Sequence, residues 1–355
     1  MPGTVIIGSG SYIPTFIKTN LDFEDQIFYD EKNQIINLAP EVIVAKFQQI
    51  TGIEERRYAP ADYTNLDLAY HAALLAIDDA AINPETIDQI IFAHNYGEVQ
   101  LGSVQSDSVP SLAARLKHRL GIINPSCVGY DILFGCPGWL QGVIIAEAFF
   151  MSGQAKRIMV VGAETLSRVI DHFDRDSLIF SDGAGVTIFE RTDDVFRGIL
   201  ATSAMTHAMD ELSYIDFGCS YNLDANPDIK YIKMKGRKVY EYALTFVPQA
   251  MKSCLDKAGV DIRQVKKILI HQANEKMDEA ILKGFYKLYD IVDTPPHVMP
   301  MSIHKLGNSS VATIPTLFDL IYRNQMPDHK FESGDILLFA SVGAGMHINA
   351  FCYRY

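Results

Sequence analysis

The chain has few cysteines and none of the patterns that pair them or use them to bind metal. Five cysteines are spread over 355 residues, without a CxxC pair and without histidines at metal-ligand spacing. A disulfide framework or a structural zinc site is therefore not expected. The predicted compartment is the reducing cytoplasm, where free thiols are the rule.

Long apolar runs and a surplus of basic residues are missing as well. No run reaches the roughly 18 apolar residues of a membrane-spanning helix, and the opening MPGTVIIGSGSYIP lacks the basic segment of an export signal. The formal net charge of −12 argues against nucleic acid as the main partner. With 48% hydrophobic and 21% charged residues, the composition is that of a globular protein with room for two domains.

The chain does contain two halves that resemble each other at a constant spacing. A helix end, a short acidic connection and an apolar strand lead up to Phe92, and the same pattern leads up to Ile270, 178 residues later. Two further apolar strands match at Ile158 and Ile336, which are again 178 residues apart. Two matches at one offset indicate a tandem duplication.

The alternation of strand and helix patterns in each half predicts the fold class. Continuous runs of valine, isoleucine and leucine are typical of strands that are buried on both faces, so helices must cover both sides of each sheet. We predict an α/β fold in which two pseudo-equivalent halves form helix, sheet, helix, sheet and helix layers. The least regular stretch is 204–235, and the predicted halves are residues 1–192 and 193–355.

One cysteine lies where an apolar strand-like run becomes an apolar helix-like run, in DILFGCPGWL. The following proline places Cys136 at the cap and Pro137 at the start of a buried helix that ends near Gly153. Free backbone amides and the helix dipole at that position are expected to lower the pKa of a thiol. This predicts a nucleophile, and the alternative left open is a buried, inert cysteine.

Two polar residues of the second half lie where α/β sheets bind ligands. His271 ends the apolar strand KKILI, at its carboxyl end. Asn308 follows a glycine, in a loop that the 178-residue offset makes equivalent to the loop of Cys136. Taken singly, the asparagine is explained by helix capping and the histidine by a structural role. Together with Cys136 they predict a catalytic set.

With these residues the chain resembles the β-ketoacyl-acyl carrier protein synthase III family of the thiolase superfamily, over almost its whole length. The motifs that carry the resemblance are GSYIP, TGIEERR, FGCPG, VVGAE, SDGAG, HQAN, GNSS and VGAGM. The resemblance implies a thiolase-like duplicated αβαβα fold, an acyltransferase and a homodimer. It assigns catalysis to Cys136, His271 and Asn308, and an oxyanion hole to the backbone amides of Cys136 and Gly345.

The implied reaction is a decarboxylative Claisen condensation in fatty acid, specialised lipid or polyketide synthesis. Cys136 takes the acyl group from a thioester, and two backbone donors stabilise the oxyanion. Malonyl on acyl carrier protein then loses carbon dioxide, and His271 and Asn308 donate hydrogen bonds to the resulting enolate. No metal or other cofactor is implied, since GSG at residues 8–10 is only a fragment of a dinucleotide fingerprint.

Several positions depart from the family pattern or extend it. Lys46 and Ile50 replace the tryptophan and arginine that clamp the adenine of CoA, which puts the use of CoA primers in question. Val109 replaces a phenylalanine of the partner subunit that closes the acyl tunnel, which predicts a primer longer than acetyl. Lys276, after HQAN, and Arg237, in the basic stretch KYIKMKGRK, are predicted to meet a phosphate or the acidic carrier protein. A solvated loop is the alternative for that stretch.

Two other functions stay open from the sequence. One is acyl transfer to an oxygen or nitrogen nucleophile, without release of carbon dioxide. The other is a non-catalytic partner in a synthase dimer, which would not need all three catalytic residues. A degradative thiolase is disfavoured because VGAGM lacks a second cysteine. Within the condensing function, the altered CoA positions favour a specialised role, such as joining two acyl chains, over housekeeping initiation.

Overall fold

The computed structural model describes residues 3–194 and 196–355. Within these ranges the strands are β1 Gly3–Tyr12, β2 Phe16–Thr19, β3 Glu55–Tyr58, β4 Gln89–His94, β5 Val128–Leu133, β6 Arg157–Thr165, β7 Asp182–Thr192, β8 Gly198–Thr206, β9 Ile215–Gly218, β10 Tyr231–Met234, β11 Val265–Ile270, β12 Ile336–Gly343 and β13 His347–Arg354. The helices are α1 Pro40–Thr51, α2 Asn65–Ala80, α3 Leu112–Arg119, α4 Gly138–Met151, α5 Gly236–Ala258, α6 Glu275–Lys287, α7 Ile303–Leu306 and α8 Thr313–Tyr322.

Most of the strands belong to two mixed sheets. The first has the order β1-β7-β6-β4-β5, and the second has the order β11-β12-β13-β8. In the first sheet β4 is parallel to β5 and β6, whereas β7 is antiparallel to β6 and β1. In the second sheet β11 is parallel to β12, and β13 is antiparallel to β12 and β8. Two small antiparallel ribbons pair β2 with β3 and β9 with β10.

The two sheets repeat one topology, as the constant sequence spacing predicts. From one edge, β8, β13, β12 and β11 follow the order and the directions of β1, β7, β6 and β4. Phe92 lies on β4 and Ile270 ends β11, so the residues matched in the sequence occupy equivalent strands. The predicted duplicated α/β fold is confirmed. We keep the division near residue 192 as a proposal: β7 of the first sheet ends at Thr192 and β8 of the second begins at Gly198.

The helices form the three layers that cover these sheets. Trp139 and Val143 of α4 pack in one buried cluster with Leu317 of α8, between Val160 on β6 and Phe339 on β12. Helices α4 and α8 therefore lie between the two sheets. The outer face of the first sheet is covered by α2 and α3, and that of the second by α5 and α6.

Helix α4 places the cysteine turn in the middle of the molecule. Its N-cap is Pro137 and its first helical residue is Gly138, one residue later than predicted. The indole nitrogen of Trp139 donates to Thr187 Oγ1 on β7 at 3.2 Å, so the polar atom of this fully buried ring is paired. The helix ends at Met151, and Gly153 follows with φ of +72°. The prediction of a buried helix after Cys136 is confirmed.

The stretch 204–235 is less regular than the rest, but it contains β9 and β10, which pair with each other, and Ile232 of β10 also forms a parallel bridge with Ile170. Each of these strands has four residues, too few to show a clear alternation of apolar and polar side chains. Across residues 3–194 and 196–355, no helix combines the length and the hydropathy that crossing a membrane requires.

Candidate active site

Cys136 lies in the turn between β5 and α4, against the end of β12. A β-carbon added to Gly343 would come within 2.5 Å of the Cys136 backbone nitrogen, and one added to Gly135 would come within 2.5 Å of the Ala344 nitrogen. Only glycine allows backbones to approach this closely. The glycines of FGCPG and VGAGM therefore allow the turn after β5, in the first half, to contact the end of β12, in the second half.

The thiol of Cys136 is neutral in this environment. Burial raises its pKa to about 11, and the nearby carboxyl of Glu164 acts in the same direction. A hydrogen bond from Ser310 and a backbone hydrogen bond act in the opposite direction. The expected lowering of the thiol pKa is therefore wrong for the protein without substrate, because loss of hydration outweighs the favourable position at the helix start.

Asn308 is linked to the cysteine through Ser310. The amide of Ser310 donates to Asn308 Oδ1 at 2.8 Å, and the Ser310 hydroxyl donates to Cys136 Sγ at 3.4 Å. A backbone N–H can only donate, so the atom of Asn308 that faces it must be the oxygen. The Nδ2 hydrogens of Asn308 are thus the donors this side chain offers to a substrate.

The backbone of Asn308 is held by the segment that precedes β7. Its nitrogen donates to Ile179 O at 2.9 Å, and its carbonyl accepts from the Ser181 nitrogen at 2.8 Å. Ser181 begins the motif SDGAG, so this motif positions GNSS. Asn308 is 3% exposed, so its side chain is enclosed by the protein as well as held by these hydrogen bonds.

His271 follows β11 directly, as predicted. Its backbone nitrogen donates to Ala340 O on β12, the strand whose last residue, Gly343, touches Cys136. Burial lowers the pKa of the imidazole to about 3, and Nδ1 is buried without a hydrogen-bond partner in the described part of the chain. The ring is therefore neutral at physiological pH and can donate one hydrogen bond.

Gly345 lies near the cysteine turn, but Gly343 and Ala344 make the backbone contacts with it. Gly345 has φ of +78° and lines a cavity of about 270 Å³ together with Gly135, Tyr96 and Ala344. The assignment of its amide to an oxyanion hole stays a prediction. The backbone amide of Ala344, which lies beside Gly135, is a second candidate for the same role.

Three residues beside the cysteine turn, Asn95, Glu164 and Ser310, are parts of the site that the sequence does not reveal. Asn95 Nδ2 donates to Ser310 Oγ at 2.9 Å and to Glu164 Oε1 at 3.3 Å, and the Asn95 backbone nitrogen also donates to Glu164 Oε1. Burial raises the pKa of Glu164 to about 7. Glu164 and Ser310 belong to the quoted motifs VVGAE and GNSS, whereas Asn95 belongs to none.

A cavity of about 380 Å³ leads toward the HQAN segment from the surface. Its lining includes the partly buried residues Ala273 and Asn274 and the exposed residues Lys46, Ile50 and Arg237. The two positions that depart from the CoA-clamping pattern thus lie at this cavity. The guanidinium of Arg237 is largely exposed and pairs with Glu241 at 2.9 Å. Lys276 is also exposed, two residues beyond Asn274.

A second cavity of about 510 Å³ lies on the side of Asn95 and Tyr96. Its lining includes Leu101, Val104 and Leu133, whose side chains are strongly exposed. Val109 follows this segment, and its side chain is 84% exposed. The valine is therefore not part of the cavity of its own chain, and its predicted role at an acyl tunnel requires a second subunit.

The basic stretch KYIKMKGRK is less basic at the surface than its sequence indicates. Lys233 is buried, and its Nζ contacts Asp171 at 2.5 Å and Asp174 at 3.1 Å. It also lies 3.5 Å from the ring centroid of Tyr221. The expectation that the whole stretch could meet an acidic partner is wrong for this lysine, because two carboxylates already neutralise it inside the protein.

The chain is similar to known proteins over nearly its whole length. The family models for 3-oxoacyl-(acyl-carrier-protein) synthase III match residues 130–208 and, for the C-terminal part, residues 255–355. The chain is 31% identical to the β-ketoacyl-(acyl-carrier-protein) synthase III of Aquifex aeolicus, over 99% of this chain and all of that protein. It is 30% identical to that of Erythrobacter litoralis, over 99% and 98% of the two chains. The crystal structure of the Aquifex aeolicus protein superimposes with a TM-score of 0.80 at 30% identity, covering 99% of this chain and 100% of that one.

Proposed function

The chain belongs to the β-ketoacyl-(acyl-carrier-protein) synthase III family, and from this premise we propose its substrates and the residues with which it acts. It is a condensing enzyme of the acyltransferase class. We propose that Cys136 accepts an acyl group from a thioester and that the acyl-enzyme condenses with malonyl on acyl carrier protein. The observation that supports this most is the hydrogen-bonded series from Asn308 through Ser310 to Cys136.

The two steps place different demands on the site. In the first, the sulfur of Cys136 displaces the thiol of the donor, and backbone amides at the cysteine turn stabilise the tetrahedral oxyanion. In the second, the malonyl group loses carbon dioxide, and the negative charge moves to the thioester oxygen. A neutral His271 and the Nδ2 group of Asn308 are both donors, which suits them to hold this oxygen. The enolate carbon then attacks the acyl-cysteine, and the sulfur of Cys136 leaves.

The entrance of the 380 Å³ cavity supports a carrier-protein donor rather than free CoA. Lys46 and Ile50 offer neither an aromatic ring nor a guanidinium for an adenine to stack on. The exposed cations Lys46, Arg237 and Lys276 still suit a phosphate and the acidic surface implied for acyl carrier protein. We therefore propose acyl carrier protein as the partner for both half-reactions, in the cytoplasm.

The exposed edge of the first sheet supports a homodimer. β5 is one of the two edge strands of this sheet, and its Val128 and Leu133 are 55% and 76% exposed. Leu101, Val104 and Val109 add further exposed apolar side chains on the segment before α3. An open strand edge beside apolar side chains favours pairing with a second sheet. In such a dimer Val109 of one subunit would close the acyl cavity of the other.

Carbon dioxide release tests the condensation. The wild-type enzyme is incubated with an acyl carrier-protein thioester and malonyl carrier protein labelled in its free carboxyl carbon. We expect labelled carbon dioxide and a β-ketoacyl product in equal amounts. Acyl transfer to an added alcohol or amine without labelled carbon dioxide would contradict condensation, and the absence of both products would indicate a non-catalytic partner.

The role of Val109 predicts a change in chain length. In Val109→Phe, a larger side chain from the second subunit should shorten the longest acyl group accepted. Each excluded methylene should lower the rate of enzyme acylation about fourfold, because a buried methylene contributes about 0.8 kcal/mol. Ile123→Phe is the matched control, since Ile123 is 86% exposed and lines none of the three cavities described above. Equal chain-length profiles for both variants would contradict the dimeric tunnel.

A further inference from the structure

The hydrogen bond from Ser310 to Cys136 has a defined direction. Ser310 Oγ lies 2.9 Å from Asn95 Nδ2 and 3.4 Å from Cys136 Sγ. Because the Asn95 amide nitrogen can only donate, the serine oxygen accepts at that contact. The hydroxyl hydrogen of Ser310 is then available for donation to Cys136 Sγ.

The carboxyl group of Glu164 decides which end of the Asn95 side chain faces Ser310. Glu164 Oε1 accepts from both nitrogens of Asn95, the backbone nitrogen and Nδ2. β4 and β6 are parallel with Ala93 opposite Gly162, so two residues further Asn95 lies beside Glu164. In the opposite orientation of the side-chain amide, Asn95 Oδ1 would replace Nδ2 at both contacts. The hydrogen bond to Glu164 Oε1 would be lost, and Ser310 Oγ would face an acceptor instead of a donor.

The backbone of Ser310 is held in an unusual conformation. Its φ is +52°, in the left-handed region that residues other than glycine rarely adopt. The bond from its nitrogen to Asn308 Oδ1 fixes this conformation. Local strain of this kind at a functional site serves to orient a group. Here the oriented group is a hydroxyl aimed at the nucleophile.

We propose that Ser310, oriented by Asn95 and Glu164, donates its hydroxyl hydrogen to Cys136 Sγ and so stabilises the thiolate during acyl transfer. The inference rests on the proposed nucleophilic role of Cys136. Ser310 touches the reacting sulfur, whereas Asn95 and Glu164 are positioning residues. Among the titratable groups, Glu164 raises the pKa of the thiol, and the thiol raises that of Tyr96. His271 is neutral because burial lowers its pKa to about 3, and the first turn of α4 and residues 310–312 carry no charge.

The test is the pH profile of Cys136 alkylation by iodoacetamide, followed on the Cys136 peptide by mass spectrometry. Ser310→Gly removes the hydroxyl, and glycine adopts positive φ without strain. We expect the midpoint to rise by about one pH unit, and the rate at pH 8 to fall roughly threefold to tenfold, since a more basic thiolate is also more nucleophilic. The exposed Cys219 in the same samples is the internal reference.

Two further variants separate this role from a general disturbance of the loop. Ser309→Ala is the matched control, because the Ser309 hydroxyl faces Thr313 and not the sulfur. It should leave the midpoint unchanged. Asn95→Ala should raise it by a smaller amount, since the serine hydroxyl is then free to rotate. A wild-type midpoint in Ser310→Gly, or an equal rise in Ser309→Ala, overturns the proposal.

Thermal unfolding of each variant shows whether it is folded. If Ser310→Gly is unfolded, the Asn95→Ala variant provides the test. An unchanged midpoint of its Cys136 alkylation profile then overturns the proposal. Alkylation requires no acyl donor. The alkylation result therefore does not depend on whether the enzyme transfers acyl groups, and the two proposals can fail separately.

Discussion

The Cys136→Ala variant is expected to form no acyl adduct with any thioester donor and to lose condensation by roughly a thousandfold or more, because removal of a nucleophile abolishes the covalent intermediate. Intact-protein mass measures the adduct after mixing with acyl carrier proteins and acyl-CoAs of increasing chain length. The same variant should still release carbon dioxide slowly from malonyl carrier protein. His271 and Asn308 remain in place to hold the enolate, and this step does not use the sulfur.

Cys219→Ala is the matched control for this variant. Cys219 is exposed, and Lys230 Nζ lies 2.8 Å from its sulfur, so it is the thiol most open to adventitious acylation. We expect the adduct and the activity to persist in this variant. An adduct that survives in Cys136→Ala but disappears in Cys219→Ala would contradict the assignment of the nucleophile. If acetyl-CoA forms the adduct as readily as longer acyl chains on acyl carrier protein do, the proposal of a carrier-protein donor is contradicted.

The features that could be predicted from the sequence are those that local pattern or repetition specifies. Strands buried on both faces appear as apolar runs, and the duplicated spacing of Phe92 and Ile270 therefore predicts equivalent strands in two sheets. The glycines around Cys136 and in VGAGM mark a close approach that no other residue allows. Most of the candidate site follows from these motifs.

The features that could not be predicted depend on contacts between distant segments. Asn95 belongs to no motif and lies at the site only because β4 is paired with β6. Lys233 appears in a basic run, but Asp171 and Asp174, about 60 residues earlier, bury and neutralise it. The pKa of Cys136 also departs from the prediction because of contacts between distant segments. The helix start and the buried helix are both visible in the sequence, whereas the degree to which distant segments remove the sulfur from water is not.

The variants His271→Ala and Asn308→Ala should show the opposite behaviour to Cys136→Ala. Each is expected to form the acyl adduct but to release carbon dioxide from malonyl carrier protein roughly a hundredfold to a thousandfold more slowly, the usual effect of removing one donor from a developing oxyanion. The double variant should be less impaired than the product of the two effects, because both donors hold the same oxygen. Decarboxylation is measured in the Cys136→Ala background, which removes the acylation step.

Because the ring of His271 is neutral, a substitution can distinguish hydrogen-bond donation from proton transfer. If the ring acts as a hydrogen-bond donor, His271→Gln should recover part of the rate, since glutamine offers an N–H near the position of the imidazole Nε2. His304→Ala is the control, as His304 lies on α7 and pairs with Glu275 near the surface. Equal loss in the glutamine and alanine variants would indicate proton transfer by the imidazole. Loss of the adduct in His271→Ala would instead place the histidine in the acylation step, where it would activate the thiol that burial keeps protonated.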